Sequence, residues 1–350
     1  MAVNSFSTNI ANTGSIVDHV ANINVMFNKG FESFVDYINS MGGSMRQFYI
    51  TRYEGQNAGI TFRCEEPITG LGIASEVNEG NDFSAGTIAP GYYKDVTVYR
   101  RSYTLPWTWY FVYHNKYPDQ ITRLVQETGW SVAYRMELDA THPFTFGTAT
   151  TYTNKDGRSV DISAGDTLQM FYSLHALTNS STTYRNRLAG NPQISSGAIE
   201  AAENLTNQQI YDNNGIRRPA RKDTIVVASD QTSYNVALKI VNSTAPREEA
   251  HAGVYNPYMG KYRIVRSMWF DSDANGAVDS TKSKYWMMVD SRNLGAYLYV
   301  TENPRVTVPT TSNGGVDYYN ENETVKATAT YEPVVLDPRF VTFSAGDGSA

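Results

Sequence analysis

The sequence has few charged residues and a single cysteine, and both shortages restrict what the protein can be. Charged side chains make up 18% of the 350 residues, and the formal net charge is -6. This balance argues against a protein whose main task is to neutralise phosphates, because that task needs a clustered cationic excess. Cys64 has no second cysteine to pair with, so an internal disulfide is excluded. Its position in a strand-like segment indicates a small buried apolar side chain.

Signals for secretion, membrane insertion and common catalytic chemistry are also missing. Residues 1–14 are polar and lack the basic and apolar regions of a signal peptide, and no run of about 18 uncharged apolar residues occurs. The sequence contains no nucleophile elbow, no phosphate-binding glycine loop and no dinucleotide fingerprint. The histidines do not have the spacing of metal ligands: His19, His114, His142, His175 and His251. We therefore expect no enzymatic activity, no cofactor and no metal.

The composition that is present favours β-strands. The chain has 25 Tyr and 14 Phe, and aromatic and β-branched residues suit a pleated, half-buried backbone. At 350 residues it exceeds the range of roughly 100 to 200 residues that one core usually holds. Two packed lobes and one large β-rich domain are both compatible with that length.

The first patterned segment is amphipathic. Ser15 and Asp18 have the spacing of a capping box, and apolar side chains then recur at helical spacing as far as Ile38, shortly before Gly42-Gly43. Gly30 is expected to divide this segment into two helices. Its apolar face must be buried against either the chain's own core or a neighbouring subunit, and the sequence does not choose between them.

A long unpatterned stretch lies between strand-like segments. Short strands are predicted at residues 47–53 and 60–64, joined by a turn, and a stronger strand signal covers residues 94–113 with a break at Pro106. Between them, residues 65–92 contain repeated glycines and prolines and no hydrophobic period. A loop of that length is uncommon inside a compact domain, so the stretch is either disordered or an extension that becomes ordered against something else. Together with the long strand signal after it, the loop predicts a protruding β-hairpin.

The longest predicted helix covers Asp119 to Ala140. Pro118 suits a first helical turn, and His142-Pro143 is expected to end the helix. Such a helix is a rod of about 30 Å. Gly129 is its expected weak point.

Further elements follow at intervals that are typical of a mixed fold. Helices are predicted at residues 195–211 and 233–241, and strands at residues 223–228, 262–270, 284–290, 296–300, 324–332 and 340–343.

The acidic pairs Glu65-Glu66 and Glu248-Glu249 fall in predicted loops. Charged pairs in loops usually face solvent, so we interpret both as solvated. A carboxylate pair of the kind that glycosidases use stays open at this stage.

Asp271 to Asp279 has oxygen-bearing side chains at alternate positions before Gly276, as in a calcium-binding loop. The twelfth position of such a loop would be Lys282, which places a cation where a bidentate glutamate is needed. The favoured interpretation is a turn at Asn275-Gly276 between Trp269 and Tyr285. Calcium binding is the alternative.

Several stretches in the second half of the chain follow one another in a characteristic order. Residues 186–215 read NRLAGNPQISSGAIEAAENLTNQQIYDNNG, and from Lys222 onward come KDTIVVASD, NPYMGKYRIVRSMWF and KYWMMVDSRNLGAYLYVTENP. In this order they resemble the major capsid proteins of tailed bacteriophages with the HK97-like fold, the first stretch resembling the helix before that family's central block and the other three the block itself. The order of elements agrees over nearly the whole chain, but residues 144–170 are turn-rich and depart from the family's spacing.

The resemblance implies an α+β, HK97-like capsid fold with an N-terminal arm, an extended β-hairpin loop, a peripheral domain with a long spine helix, and an axial domain. The implied boundaries are residues 1–45 for the arm, 46–115 for the loop hairpin with its flanking strands, 116–180 for the peripheral domain, 181–305 for the axial domain, and 306–350 for strands that return to the peripheral domain.

The same resemblance implies a structural subunit that self-assembles, as hexamers and pentamers, into the icosahedral head shell around a phage genome. Portal, scaffolding or decoration proteins would be partners, DNA would contact the inner face without sequence specificity, and no membrane would be involved. The protein would assemble in the bacterial host cytoplasm and reside in the virion. Four residues are candidates for intersubunit ion pairs: Glu76, Glu79, Arg100 and Arg101.

Two other functions remain open. The shell of an encapsulin-type bacterial nanocompartment uses the same fold and packages an enzyme instead of a genome. A β-rich carbohydrate-binding module would account for the many Tyr and Trp side chains, which can stack on sugars, but it gives no reason for a long helix after a long loop.

Overall fold

The structure is a computed structural model that describes residues 20–54, 61–66, 73–80, 82, 90–108, 119–218, 220–244, 255–307 and 322–348. Five sequence predictions lie outside these residues: the capping box Ser15 to Asp18, the turn after Glu54, the strand end at 109–113, Pro118, and the pair Glu248-Glu249.

The described residues form four α-helices and fourteen strands in a mixed order. The helices are α1 (Val20–Ser40), α2 (Asp119–Thr145), α3 (Ser196–Gln209) and α4 (Gln231–Asn242). The strands of the first half are β1 (Ile50–Tyr53), β2 (Thr61–Glu65), β3 (Tyr93–Thr97), β4 (Tyr99–Thr108), β5 (Thr151–Thr153), β6 (Ser159–Asp161), β7 (His175–Ala176) and β8 (Thr183–Tyr184). Those of the second half are β9 (Thr224–Val227), β10 (Arg263–Arg266), β11 (Trp286–Val289), β12 (Gly295–Thr307), β13 (Asn322–Asp337) and β14 (Val341–Ser344).

Helix α1 packs along α2 in the same subunit. Phe27 and Phe34 are each 1% exposed, and Phe34 packs with Ala133 and Trp130 of α2. Of the two alternatives that the sequence left open, the structure therefore shows burial of this apolar face in the chain's own core. The expected division at Gly30 is also wrong, because α1 is one continuous helix.

Helix α2 is longer than predicted. It has 27 residues and continues through Pro143 to Thr145, which makes a rod of about 40 Å. His142 and Phe144, on either side of the proline, are buried. Tertiary packing of this last turn outweighs the loss of one backbone hydrogen bond, so His142-Pro143 does not end the helix.

The first sheet has the strand order β1-β12-β13-β4. Strand β1 pairs with β12 in parallel, whereas β13 pairs with both β12 and β4 in antiparallel fashion. The predicted hairpin between residues 47–53 and 60–64 is wrong, since β1 joins this sheet and β2 pairs with β3. Pro106 does not break β4, because β4 is an edge strand, where a missing N–H leaves the ladder intact.

The second sheet has the order β10-β9-β11-β14, with a parallel pair, β10 and β9, at one edge. One face of this sheet shares a core with the first sheet and α2, and the other face packs against α3 and α4. A smaller core lies beneath the β2–β3 ribbon, where Cys64 is fully buried, as predicted.

Candidate assembly surface

The described middle part of the long loop is exposed to solvent. All residues from 73 to 80 are exposed, including the apolar Ile73, at 78%, and Val77, at 38%. Glu76 and Glu79 lie between and beside them. This segment, which we call the loop segment, therefore combines apolar and acidic side chains without a cover in its own subunit.

The base of the loop is firmly attached. Strands β2 and β3 pair in register from Thr61 with Thr97 to Glu65 with Tyr93. One residue further towards the tip, the Glu66 N–H donates to the Tyr92 carbonyl at 2.9 Å, and the Tyr92 N–H donates to Glu66 Oε2 at 3.1 Å. The two ends of the loop are thus held to each other by backbone and side-chain hydrogen bonds.

Arg339 attaches this base to the rest of the protein. Its guanidinium donates to Glu66 Oε1 and, at 2.7 to 3.0 Å, to the carboxylate of Asp337. It also donates to the Tyr211 carbonyl at 3.0 Å and to Asn213 Oδ1 at 2.9 Å. The side chains of Glu66, Asp337 and Arg339 are 6%, 3% and 3% exposed. The prediction that Glu66 is solvated is therefore wrong.

A chain of ion pairs joins four elements of the fold near β4. It runs in the order Arg158, Glu332, Arg101, Asp139, Arg135 and Asp156, with N···O distances of 3.0, 2.7, 3.2, 2.9 and 2.8 Å. These residues belong to α2, β4, β13 and the turn between β5 and β6. Burial lowers the pKa of Arg101, but Glu332 and Asp139 raise it by more. The chain holds three positive and three negative groups, and its charges balance.

An open cleft of about 410 Å³ lies over this chain of ion pairs. Its walls are β4, α2 and the turn between β5 and β6, and we call it the β4 cleft. Asn154 shapes one wall by accepting from the N–H groups of Asp156 and Arg158. Lys155 projects from that turn and is exposed. Arg100 stands on the opposite wall.

The four predicted contact residues occupy different environments. Glu76 and Glu79 are exposed on the loop segment, and the side chain of Arg100 is 59% exposed beside Glu302, at 3.4 Å. Arg101 is 12% exposed and pairs with Asp139 and Glu332 in its own subunit. Glu76, Glu79 and Arg100 are thus accessible to another molecule. Arg101 instead lies in the floor of the cleft and is paired within its own subunit.

The acidic turn after β10 is closed by internal contacts. The Asp273 N–H donates to the Ala277 carbonyl at 2.7 Å and the Gly276 N–H to the Asp273 carbonyl at 3.2 Å, which confirms the turn at Asn275-Gly276. Lys282 Nζ donates to the Ser272 carbonyl at 3.1 Å and lies 3.2 Å from Asp279. Among the described residues, no group of three or more His, Cys, Asp or Glu side chains could hold a metal ion.

Sequence reasoning missed most of this surface. The spacing of Arg135 and Asp139, four residues apart on a predicted helix, could have indicated one ion pair. No sequence signal pointed to the pairing of Glu332 with Arg158 or to the burial of Glu66 beside Arg339, because these partners are 174 and 273 residues apart along the chain.

Comparison with known proteins gives a fold but no close relative. No family model and no curated protein matches the chain. Among solved structures, the mature capsid of bacteriophage PhiM1 matches with a TM-score of 0.51 and 12% identity, over 85% of each chain. The capsid of cyanophage P-SCSP1u matches with a TM-score of 0.50 and 10% identity, over 86% of this chain and 88% of that one.

The chain has the HK97-like capsid fold. The virus-like particle from Pyrococcus furiosus matches with a TM-score of 0.44 and 9% identity, over 94% of this chain and all of that one. No helix in the described ranges is long and apolar enough to cross a membrane.

Proposed function

We propose that the protein is a structural subunit of the icosahedral head shell that encloses a phage genome. The observation that carries this proposal is the loop segment, which is exposed and belongs to a loop whose base is fixed by Glu66, Tyr92 and Arg339. Uncovered apolar side chains in a loop with a fixed base suit contact with another copy. The HK97-like fold supports the same function.

In this function the loop segment lies in the β4 cleft of a neighbouring subunit. The cleft floor is neutral, whereas its lining also includes Lys155 and Arg100. Beside the cleft, Glu302 pairs with both Arg100 and Arg305, so these four side chains together hold two more positive than negative charges. Glu76 and Glu79 supply two negative charges. The exposed rings of Tyr99 and Tyr103 on β4 offer apolar surface for Ile73 and Val77.

Arg101 has a different role in this arrangement. Its two carboxylate partners hold it in the cleft floor, so it positions β4 against α2 and β13 instead of pairing with a neighbour. Each intersubunit pair at the exposed rim contributes only about 0 to 1 kcal/mol. A shell is nevertheless stable because the same weak contact is repeated in every subunit.

The remaining expectations about the particle are part of the same proposal. The subunits form hexamers and pentamers, with residues 1–45 as an arm, 46–115 as the loop hairpin, 116–180 and 306–350 as the peripheral domain, and 181–305 as the axial domain. Portal, scaffolding or decoration proteins bind the shell, DNA lies against its inner face without sequence specificity, and assembly takes place in the host cytoplasm. The subunit performs no catalysis.

Electron microscopy of the purified full-length protein tests the proposal. Closed icosahedral particles made of rings of five and six subunits are the expected result. A monodisperse monomer that binds glycans on an array would contradict it and favour the carbohydrate-binding module. Particles that form in cells and contain a packaged enzyme without a genome would favour the nanocompartment shell.

A further inference from the structure

Two carboxylates share one guanidinium where the ends of the long loop meet. Asp337 accepts from Arg339 Nε at 2.8 Å and from Arg339 Nη2 at 2.7 Å, and Glu66 Oε1 accepts from the same Nη2. All three side chains are at most 6% exposed. With both carboxylates ionised, this buried group carries one unbalanced negative charge.

Within the described parts of the chain, neither Glu66 nor Asp337 forms an ion pair with a second cation. The ring of Tyr92 lies 5.3 Å from the guanidinium, and the buried Tyr184 is close to the same charges. Asp166 adds negative potential and is bonded to His175 at 2.7 Å. Lys94, on β3, donates to the Ser163 carbonyl and pairs with Asp161 at 3.1 Å. Arg339 itself uses its remaining donors on Tyr211 and Asn213.

The consequence is a carboxyl group that keeps its proton close to neutral pH. Burial is the largest cause and the charge of Asp337 the next, and although Arg339 acts in the opposite direction, the pKa of Glu66 is raised to about 7. In water the same side chain would have a pKa of 4.5. Glu66 therefore binds a proton more tightly when the base of the loop is closed around it than when its side chain is in water.

We propose that Glu66, Asp337 and Arg339 form a proton-operated latch that holds the base of the long loop to the body of the subunit. When Glu66 is protonated, its carboxyl group stays between Tyr92 and Arg339 without repelling Asp337. When it is ionised, the repulsion is relieved if Glu66 moves towards solvent, and the hydrogen bond from the Tyr92 N–H is lost with it. The base of the loop then loses its side-chain attachment to Arg339, and the Tyr92 amide is released from Glu66.

The direction of the pH effect follows from the raised pKa. The stabilisation of the closed latch is complete below the pKa of the open form, 4.5, and decreases as the pH rises to the closed-form value of about 7. Above that value it is constant. The opening equilibrium rises about tenfold for each pH unit within this window, because one proton is released on opening.

Hydrogen exchange of the full-length protein tests the latch. After correction for intrinsic exchange, protection of the Tyr92 amide should fall about 40-fold between pH 5 and pH 7 and level off above pH 8. Glu66→Gln, which is neutral at every pH, should abolish this dependence. Glu65→Gln removes the adjacent exposed carboxylate and should behave as the wild type does.

Two outcomes would overturn the proposal: wild-type protection that is constant from pH 5 to pH 8, or a transition that persists in Glu66→Gln. Asp337→Asn offers an independent check, because removing the nearby charge should move the transition to lower pH. If that variant does not fold, the comparison of Glu66→Gln with Glu65→Gln still determines whether Glu66 causes the pH dependence. The latch regulates the loop of the proposed shell subunit, but this measurement follows one amide and does not depend on whether particles form.

Discussion

Gly30 of α1 and Gly129 of α2 lie at the crossing of their two helices, and each faces the backbone of the opposite helix. A Cβ atom on Gly30 would collide with the Gln126 carbonyl, and one on Gly129 would collide with the Phe27 carbonyl. The two glycines therefore allow a closer approach of the helices than any other residue would. Both had been expected to weaken their helices, but in the folded protein they allow α1 to pack in the core.

Replacing either glycine by alanine should destabilise the protein. We expect Gly30→Ala and Gly129→Ala each to reduce the free energy of unfolding by about 1 to 3 kcal/mol, because the helices must move apart. Denaturant unfolding measures the change. Gly197→Ala in α3 is the matched control, since nothing lies within 4 Å of its added Cβ. There the better helix propensity of alanine should leave stability unchanged or raise it by up to about 1 kcal/mol.

Removing the loop should separate folding from assembly. Deletion of Ile68 to Ile88 takes out the exposed loop segment and leaves the β2–β3 ribbon and the Glu66–Tyr92 contacts in place. We expect a folded monomer with normal circular dichroism that forms no particles in electron microscopy. Particles of normal size and number from this deletion would show that the loop segment is not an assembly contact.

Reversing the charge of Arg100 should impair assembly with little effect on folding. Arg100→Glu places a negative charge at the rim of the β4 cleft, and light scattering should show slower particle formation. The melting temperature should decrease only slightly, because the exposed pair that Arg100 forms with Glu302 contributes only about 0 to 1 kcal/mol. Adding Glu79→Arg in the same chain should restore part of the rate if the two side chains meet between subunits. The effect should weaken at high salt, because exposed charges are screened. Lys239→Glu, a reversal on the exposed face of α4, is the control.

Arg101 should respond in the opposite way. Arg101→Leu leaves Asp139 and Glu332 each without one partner in a poorly solvated place, which costs about 3 kcal/mol of stability. The melting temperature should therefore fall even in a protein kept from assembling by the loop deletion. An unchanged melting temperature together with failed assembly would instead indicate that Arg101 contacts a neighbouring subunit.

Calcium should have no effect on the turn after β10. Lys282 donates a hydrogen bond to the Ser272 carbonyl and lies beside Asp279. A calcium loop would need a carboxylate at the position of Lys282. Calorimetric titration of the folded subunit with Ca²⁺ should give a flat trace. A saturable heat signal that disappears in Asp273→Asn would contradict this expectation.

The sequence by itself determined most of the secondary structure and the fold. Hydrophobic periodicity located α1, α2, α3 and α4 to within a few residues at their described ends, and short apolar runs located β9, β11 and β14. These features are local, since each depends on side chains that are neighbours on one helix face or one strand. The resemblance of the later stretches to phage capsid proteins then indicated the HK97-like fold, which the solved structures bear out.

Only the tertiary structure decided which segments meet. Strand β1 pairs with β12 instead of β2, Glu66 is buried beneath Arg339, and Arg101 is enclosed by Asp139 and Glu332. Each of these contacts joins residues far apart in the chain, and each depends on burial, which changes the energy of a charge far more than its sequence neighbours do. The exposure of Glu79 and the burial of Glu66 arise in the same loop for this reason, and no local pattern distinguishes the two glutamates.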